Sequence, residues 1–203
     1  NNPNKRKVEY LFIYLNMQQK GFTLIELLIV IAIIAVLSVV VVLTLNPAEL
    51  LRQARDSTRI SDMSSLNSAL SLLLADGGVF TMGPNCFAAT STAGNCVTIG
   101  FTSSPVSSTA ILVTSTRGTA GDNGWMQGVN FSSISSGAPF GVLPVDPTNS
   151  PTLFYGFAIG SSSTYKLNSR MESTKYSTGT AAVGVNDGGT SSTLYEVGNT
   201  LSL

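Results

Sequence analysis

Glu26 is a carboxylate set inside an unbroken apolar run, and its chemistry is the first to need an explanation. Between residues 22 and 45 no other side chain is charged. A charge at that depth costs about 2.5–3.5 kcal/mol on insertion scales, so an intramembrane carboxylate is a functional candidate once a partner can be named. A partner exists if the chain is cut after Gly21. Phe22 would then carry a free α-amino group, positive at neutral pH, and Glu26 would be the fifth residue of the mature chain. Within one helix the amine and the carboxylate lie about one turn apart; equally, the amine of one copy could neutralise Glu26 of a neighbour. An unpaired Glu26 is penalised and a paired one is not. The charge would therefore set axial register in a bundle of such helices, as a single buried polar group does in coiled coils. The competing reading places Glu26 near the headgroups and makes residues 22–45 an ordinary signal anchor. Lys20-Gly21 just before the run, with Thr23 inside it, argues for the first reading.

Other reactive chemistry is sparse. The sequence contains no histidine, which removes Ser-His and Cys-His nucleophile pairs, imidazole metal ligands and the usual side chain titrating near pH 7. No paired acid/base carboxylates, phosphate loop or nucleophile motif is found, so the chain is not expected to be an enzyme. Cys86 and Cys96 sit between Gly-Pro-Asn and Gly-Asn turns, and in an exported chain they read as one short disulfide. A loop of that size contributes about 3 kcal/mol on the chain-entropy account. The spacing is not that of a Cys-x-x-Cys redox pair, and two thiolates supply half of a tetrahedral metal shell. Asn186-Asp187-Gly188-Gly189 invites a calcium loop, but calcium takes about six to eight oxygens. Only Asp146 could be added, so a plain Asp-Gly turn is expected, with no metal or cofactor. Trp125 reads as a core or rim aromatic. Arg52, Arg55 and Arg59 form a basic stripe with Glu49, Asp56 and Asp62 alongside, read as subunit–subunit ion pairing or a solvated face.

The elements that must position these residues follow from composition and period. The 203 residues carry 11 basic and 11 acidic side chains, so the chain lacks the basic surplus that draws a protein to a polyanion. Mean hydropathy is +0.28, most of it concentrated in residues 22–45. That run would make about 36 Å of helix, enough to cross a hydrocarbon core of roughly 30 Å. It is longer than the apolar core of a cleaved secretory signal. Asn46-Pro47 interrupts it. Residues 48–75 are helical by period: Leu51, Ala54, Thr58, Met63, Leu66, Leu70 and Leu73 recur mostly at three- and four-residue steps, and Asp76-Gly77-Gly78 ends the pattern. Both halves together would span roughly 80 Å if nearly straight.

Beyond residue 76 the composition turns to Ser, Thr and Gly with scattered aromatic and β-branched residues. Strands are expected at 96–101, 110–114, 128–131, 153–159, 165–172, 181–185 and 194–197. A hairpin loop falls at 160–163 and a tight turn at 186–189. Pro144, Pro147 and Pro151 make residues 143–151 a rigid irregular connection, and the Ser/Thr tracts at 132–136 and 161–164 read as surface loops. The chain therefore divides into a leader at 1–21, an apolar helix at 22–46, an amphipathic extension at 47–76 and a β-rich head at 77–203. Its fold class is α+β, with the long helix packed on a C-terminal antiparallel sheet. Met17 is the expected native start, opening the leader Met-Gln-Gln-Lys-Gly.

Lys20-Gly21-Phe22-Thr23-Leu24-Ile25-Glu26-Leu27-Leu28 resembles the class III signal of type IV pilins and type II secretion pseudopilins. The resemblance implies that a prepilin peptidase cuts between Gly21 and Phe22 and methylates the new amine, and that Glu26 with Thr23 serves assembly. It fits a short leader from Met17, since mature chains that begin with Phe have short leaders in this family. It also implies the partners: a homo-oligomeric filament, the peptidase, an assembly platform and a motor ATPase. The precursor would be a single-pass protein of the cytoplasmic membrane with its head outside the cytoplasm, and the assembled filament would be extracellular. Residues 143–146 resemble the Leu-Pro-x-Asp stretch of pseudopilins and some pilins. The cysteines depart from the family pattern, whose best-known disulfide staples the C-terminal region. A pilus subunit is the leading reading, favoured over a pseudopilin by the polar head. A minor pilin or DNA-uptake tip protein is the alternative of another class, although the acids flanking the arginine stripe give nucleic acid no support as a partner. A membrane-anchored secreted enzyme ranks third.

Overall fold

The computed structural model describes residues 21–90, 95–102, 117–119, 123–179 and 181–203, together with the backbone of 110–112. The expected leader with Met17 and Lys20, and the end of the strand expected at 110–114, lie outside the described residues. Two compact units follow from the chain's own contacts, 1–46 and 47–203.

In the first unit, α1 runs from Leu24 to Leu45 with no buried residue. Glu26 is its one charged residue, and its 22 residues rise about 33 Å, enough to cross a bilayer core. The helix ends where Asn46 takes up a left-handed conformation with φ 41°, which Asn tolerates better than most residues. Pro47 then opens a second helix at the position where its missing N–H costs nothing. The interruption expected at Asn46-Pro47 is thus one residue, Asn46, outside both helices.

In the second unit, α2 spans Pro47–Ala75. Met63, Leu66, Ala69, Leu70 and Leu73 turn inward, as the period predicts. The N-terminal half departs from it. Leu51, Ala54 and Thr58 are exposed, and the buried positions there are Asp56 and Arg59. The helix ends in a Schellman motif. The Gly78 N–H donates to the Leu73 carbonyl and the Gly77 N–H to that of Leu74, with Gly77 at φ 83°, a conformation glycine adopts without penalty.

Five strands form one sheet in the order β2-β1-β3-β4-β5: β1 Asn85–Ala88, β2 Ala110–Leu112, β3 Tyr155–Ile159, β4 Tyr165–Arg170 and β5 Leu194–Gly198. The four strands β1, β3, β4 and β5 are antiparallel, as expected, while β2 pairs parallel to β1 on the edge. Side chains alternate across the sheet. Phe87, Tyr155, Phe157, Ile159, Tyr165 and Leu167 meet the C-terminal half of α2 in one core. Cys86, Ala88 and Ala158 face the other way, beneath Cys96, Ile99 and Phe101.

Three expected strands are corrected. Residues 96–101 are a chain of turns, closed by the Phe101 N–H to the Cys96 carbonyl and tied down by the Cys86–Cys96 disulfide. Residues 128–131 bend at Gly128, φ 77°, into a short 3-10 turn at Phe131–Ser133. Residues 181–185 enter a helical turn, Val183–Asn186. A Cβ at Gly184 would lie 2.4 Å from the Leu194 carbonyl oxygen, so the glycine lets this turn sit against β5. Strand β1 was not foreseen.

Candidate functional site

The site begins with Thr23, the N-cap of α1, whose backbone is extended at φ −75° and ψ 150°. Its hydroxyl accepts from the Glu26 N–H at 3.3 Å. The Glu26 carboxylate reaches back, and its Oε2 accepts from the Thr23 N–H at 2.9 Å and the Thr23 hydroxyl at 2.6 Å. This is a complete capping box, in which the first-turn donors that no helix can satisfy internally find side-chain partners. The Thr-x-x-Glu spacing is the sequence signature of that device, and it was missed because Glu26 was weighed only as a charge. Within the chain, then, Thr23 and Glu26 are brought together, and Glu26 has a first duty that needs no second molecule. Both bonds fall on Oε2, and among the described residues Oε1 accepts none.

Gly21 and Phe22 precede the helix outside any regular element, and both are exposed. Among the described residues a Cβ at Gly21 would meet nothing within 4 Å, and its φ lies outside the left-handed range. The described part of the chain places no demand for glycine at that position.

The remaining residues singled out by chemistry lie in the second unit, and there the arginine stripe is corrected. Arg59 is fully buried. Its guanidinium holds Asp146 in a fork, Nε to Oδ2 at 2.7 Å and Nη2 to Oδ1 at 2.8 Å, and reaches Asp56 through Nη1 at 2.7 Å. Glu172 lies 2.5 Å from Nη2. Arg55 adds a second fork to Glu172, at 2.9 and 2.7 Å. Asp56 also accepts from the backbone of Glu172 and Ser173 and from the Ser173 hydroxyl. Burial disfavours the Arg59 charge, but Asp146, Glu172 and Asp56 outweigh it and raise the pKa. Glu172 is held down at about 2, by Arg55 first and then, against burial, by Arg59 and Thr148. These arginines tie α2 to segments 146–149 and 172–173, so they are neither a solvated face nor a basic stripe. Arg52 alone keeps to the surface, 3.8 Å from Glu49.

Cys86 and Cys96 are disulfide-bonded, with Cα atoms 5.7 Å apart. Trp125 is buried, its indole N–H donating to the Pro144 carbonyl at 2.9 Å. Asp187 accepts from the N–H groups of Gly189 and Glu196, which makes it the hinge of a turn. Asp146, weighed as a calcium ligand, is spent on Arg59 and on two backbone N–H groups.

Residues 16–42 match the family described as the prokaryotic N-terminal methylation motif. The match covers the junction at Gly21, the capping box and most of α1. The chain thus carries a class III signal of the type IV pilin and pseudopilin kind, which supports a pilin-like or pseudopilin precursor and implies processing by a prepilin peptidase. No curated protein and no solved structure matches the chain.

Proposed function

We propose that the chain is the precursor of a structural subunit of a type IV pilus-like filament and not an enzyme. The peptidase cuts after Gly21 and methylates Phe22, α1 leaves the membrane for a filament core of identical helices, and the head faces outward as the extracellular surface. One observation carries this reading. An apolar helix with none of its residues buried holds a single carboxylate, and that carboxylate stands at the helix start, just after an exposed Gly-Phe junction. A glycine that the described part of the chain does not need is accounted for by a protease that reads it. The free Oε1 of Glu26 is the natural acceptor for the ammonium of a neighbouring subunit, whose burial in the apolar core would otherwise cost several kcal/mol.

The test is the mass and N-terminal sequence of the protein from cells carrying the matching peptidase. The expected result is a chain beginning at methylated Phe22, whereas an intact leader overturns the reading. Glu26→Ala should still be cleaved and inserted yet lose most of its fibre yield. Wild-type yield from that variant would refute the pairing. The second reading, a type II secretion pseudopilin, rests on residues 143–146, whose Asp146 is spent on Arg59. Surface fibres on producing cells favour the pilus subunit, and their absence with secretion lost on deletion favours the pseudopilin.

A further inference from the structure

The sheet face turned away from α2 is only partly covered by the described residues. Beneath the disulfide loop, Lys166 pairs with Glu196 at 2.9 Å and lies 5.3 Å from the centre of the Phe101 ring. The Asn168 side-chain amide donates to the Ile99 carbonyl at 2.7 Å. Farther along β4 the roof stops and leaves a cavity of about 380 Å³, lined by Thr98, Ile99, Phe154, Asn168, Arg170 and Leu194. That volume lies within the roughly 300–1,000 Å³ of small-molecule sites.

Arg170 stands apart from the other cations. Arg52, Arg55, Arg59 and Lys166 each pair with a carboxylate. Arg117 donates to the Leu143 carbonyl and Lys175 lies over the Tyr176 ring. Among the described residues the Arg170 side chain makes neither a hydrogen bond nor an ion pair, and the residue is exposed at the last position of β4, where it lines the cavity. No acidic side chain lines the cavity with it.

We propose that this cavity binds an acidic sugar, with its carboxylate on Arg170. A guanidinium presents parallel N–H donors that match a carboxylate. Among the lining residues Arg170 is the one charged donor, since one Asn168 amide N–H serves Ile99 and the Thr98 hydroxyl donates to the Asn95 carbonyl. One free fork matches a singly charged carboxylate, whereas a phosphate would bring a second charge with no second cation among the lining residues. Phe154 and Leu194 offer apolar surface to the C–H face of a ring, while Thr152, also on the wall, offers a hydroxyl to the ring's own.

A second copy of the head is a poor source of the anion, because its described carboxylates are already engaged. Asp56, Asp146 and Glu172 surround Arg59, and Glu196 holds Lys166. Asp62 accepts from Tyr155, Asp76 from Ser135, Glu49 from the Thr174 N–H and Asp187 from two backbone N–H groups.

The test is titration of the full chain in detergent micelles with D-glucuronate, read by calorimetry or saturation-transfer NMR, with D-glucose as the uncharged counterpart. Saturable glucuronate binding is expected, at least about tenfold weaker for glucose and for Arg170→Gln. Arg170→Lys should fall between, since it keeps the charge but not the fork, and Arg52→Gln should match the wild type. Unchanged Trp125 emission verifies that each variant is folded. No saturable binding, or glucuronate binding equal in wild type and Arg170→Gln, overturns the site. Benzoate binding where glucuronate does not overturns the sugar.

Discussion

The two helices treat charge in opposite ways. In α1 no residue is buried and the lone carboxylate is capped by its own Thr23. In the first half of α2 the chain buries a guanidinium and a carboxylate, with Asp146 from a distant segment beside them, and leaves Leu51 62% exposed. A buried charge is tolerable when every lone pair and proton has a partner, and around Arg59 the partners come from its own chain. An apolar helix in water is tolerable only when something covers it, and none of the residues of α1 is buried. One helix finds its partners within its own unit, and on the proposed reading the other finds them in lipid or in other copies.

The contrast is broken most severely by Arg59→Leu. Asp56, Asp146 and Glu172 would remain packed without their cation, and removing one partner of a buried pair costs about 3–5 kcal/mol. Denaturant unfolding of the head followed by Trp125 fluorescence should show that loss. Leu37→Val in α1, which has no buried residue, should leave the same transition unmoved, and a comparable loss there would break the contrast. Next in size is the disulfide. Replacing Cys86 and Cys96 together by Ala should cost about 3 kcal/mol, with the Ile99 and Phe101 roof loosened but α2 still docked.

The pH dependence has a defined sign. Glu172 is held down at about 2 by Arg55 and Arg59 from an ordinary value of 4.5. A carboxylate depressed by folding contributes stability that is present above its unfolded pKa and lost as pH falls through the folded one. The head should therefore weaken between about pH 4.5 and pH 2. Asp62, raised by burial, works in the opposite direction over its own range. Glu172→Gln should flatten the acid limb in a pH series of unfolding midpoints. An identical slope in the variant would assign the loss to other carboxylates.

What could be read from the sequence followed the range of the physics. The junction, the apolar span and the stop at Asp76-Gly77-Gly78 rest on rules that act within a few residues, and all were legible. The capping box was equally legible and was overlooked. Arg59 was not legible, because an arginine three residues from an aspartate looks the same on a solvated face as in a core. Its burial is decided by Asp146, 87 positions away, and by Glu172. The same holds for β1: four residues among turn formers become a strand because β3 and β2 hydrogen-bond to both of its edges. Conversely, residues 96–101 and 181–185 have the composition of strands, but a disulfide tether and the close approach of Gly184 to Leu194 make them turns. The cavity beside Arg170 joins four segments separated in sequence and left no local trace.

The smallest effect bears most directly on what Glu26 does. Glu26→Gln keeps an oxygen that can accept from the Thr23 N–H, since glutamine also closes a capping box, but it removes the charge. Thr23→Ala does the reverse: it deletes the cap hydroxyl, at about 1 kcal/mol of helix stability, and keeps the carboxylate. If capping is the whole role of Glu26, Glu26→Gln should assemble normally and Thr23→Ala should be the weaker assembler. If the carboxylate neutralises a neighbour's amine, the order reverses: Glu26→Gln approaches Glu26→Ala in fibre yield, while Thr23→Ala loses only the fraction expected from a frayed first turn. Helix content of the precursor in micelles, by circular dichroism, verifies the first-turn effect separately from assembly. Because the capping bonds share Oε2, the two roles can coexist on one side chain, and only the charge-neutral variant separates them.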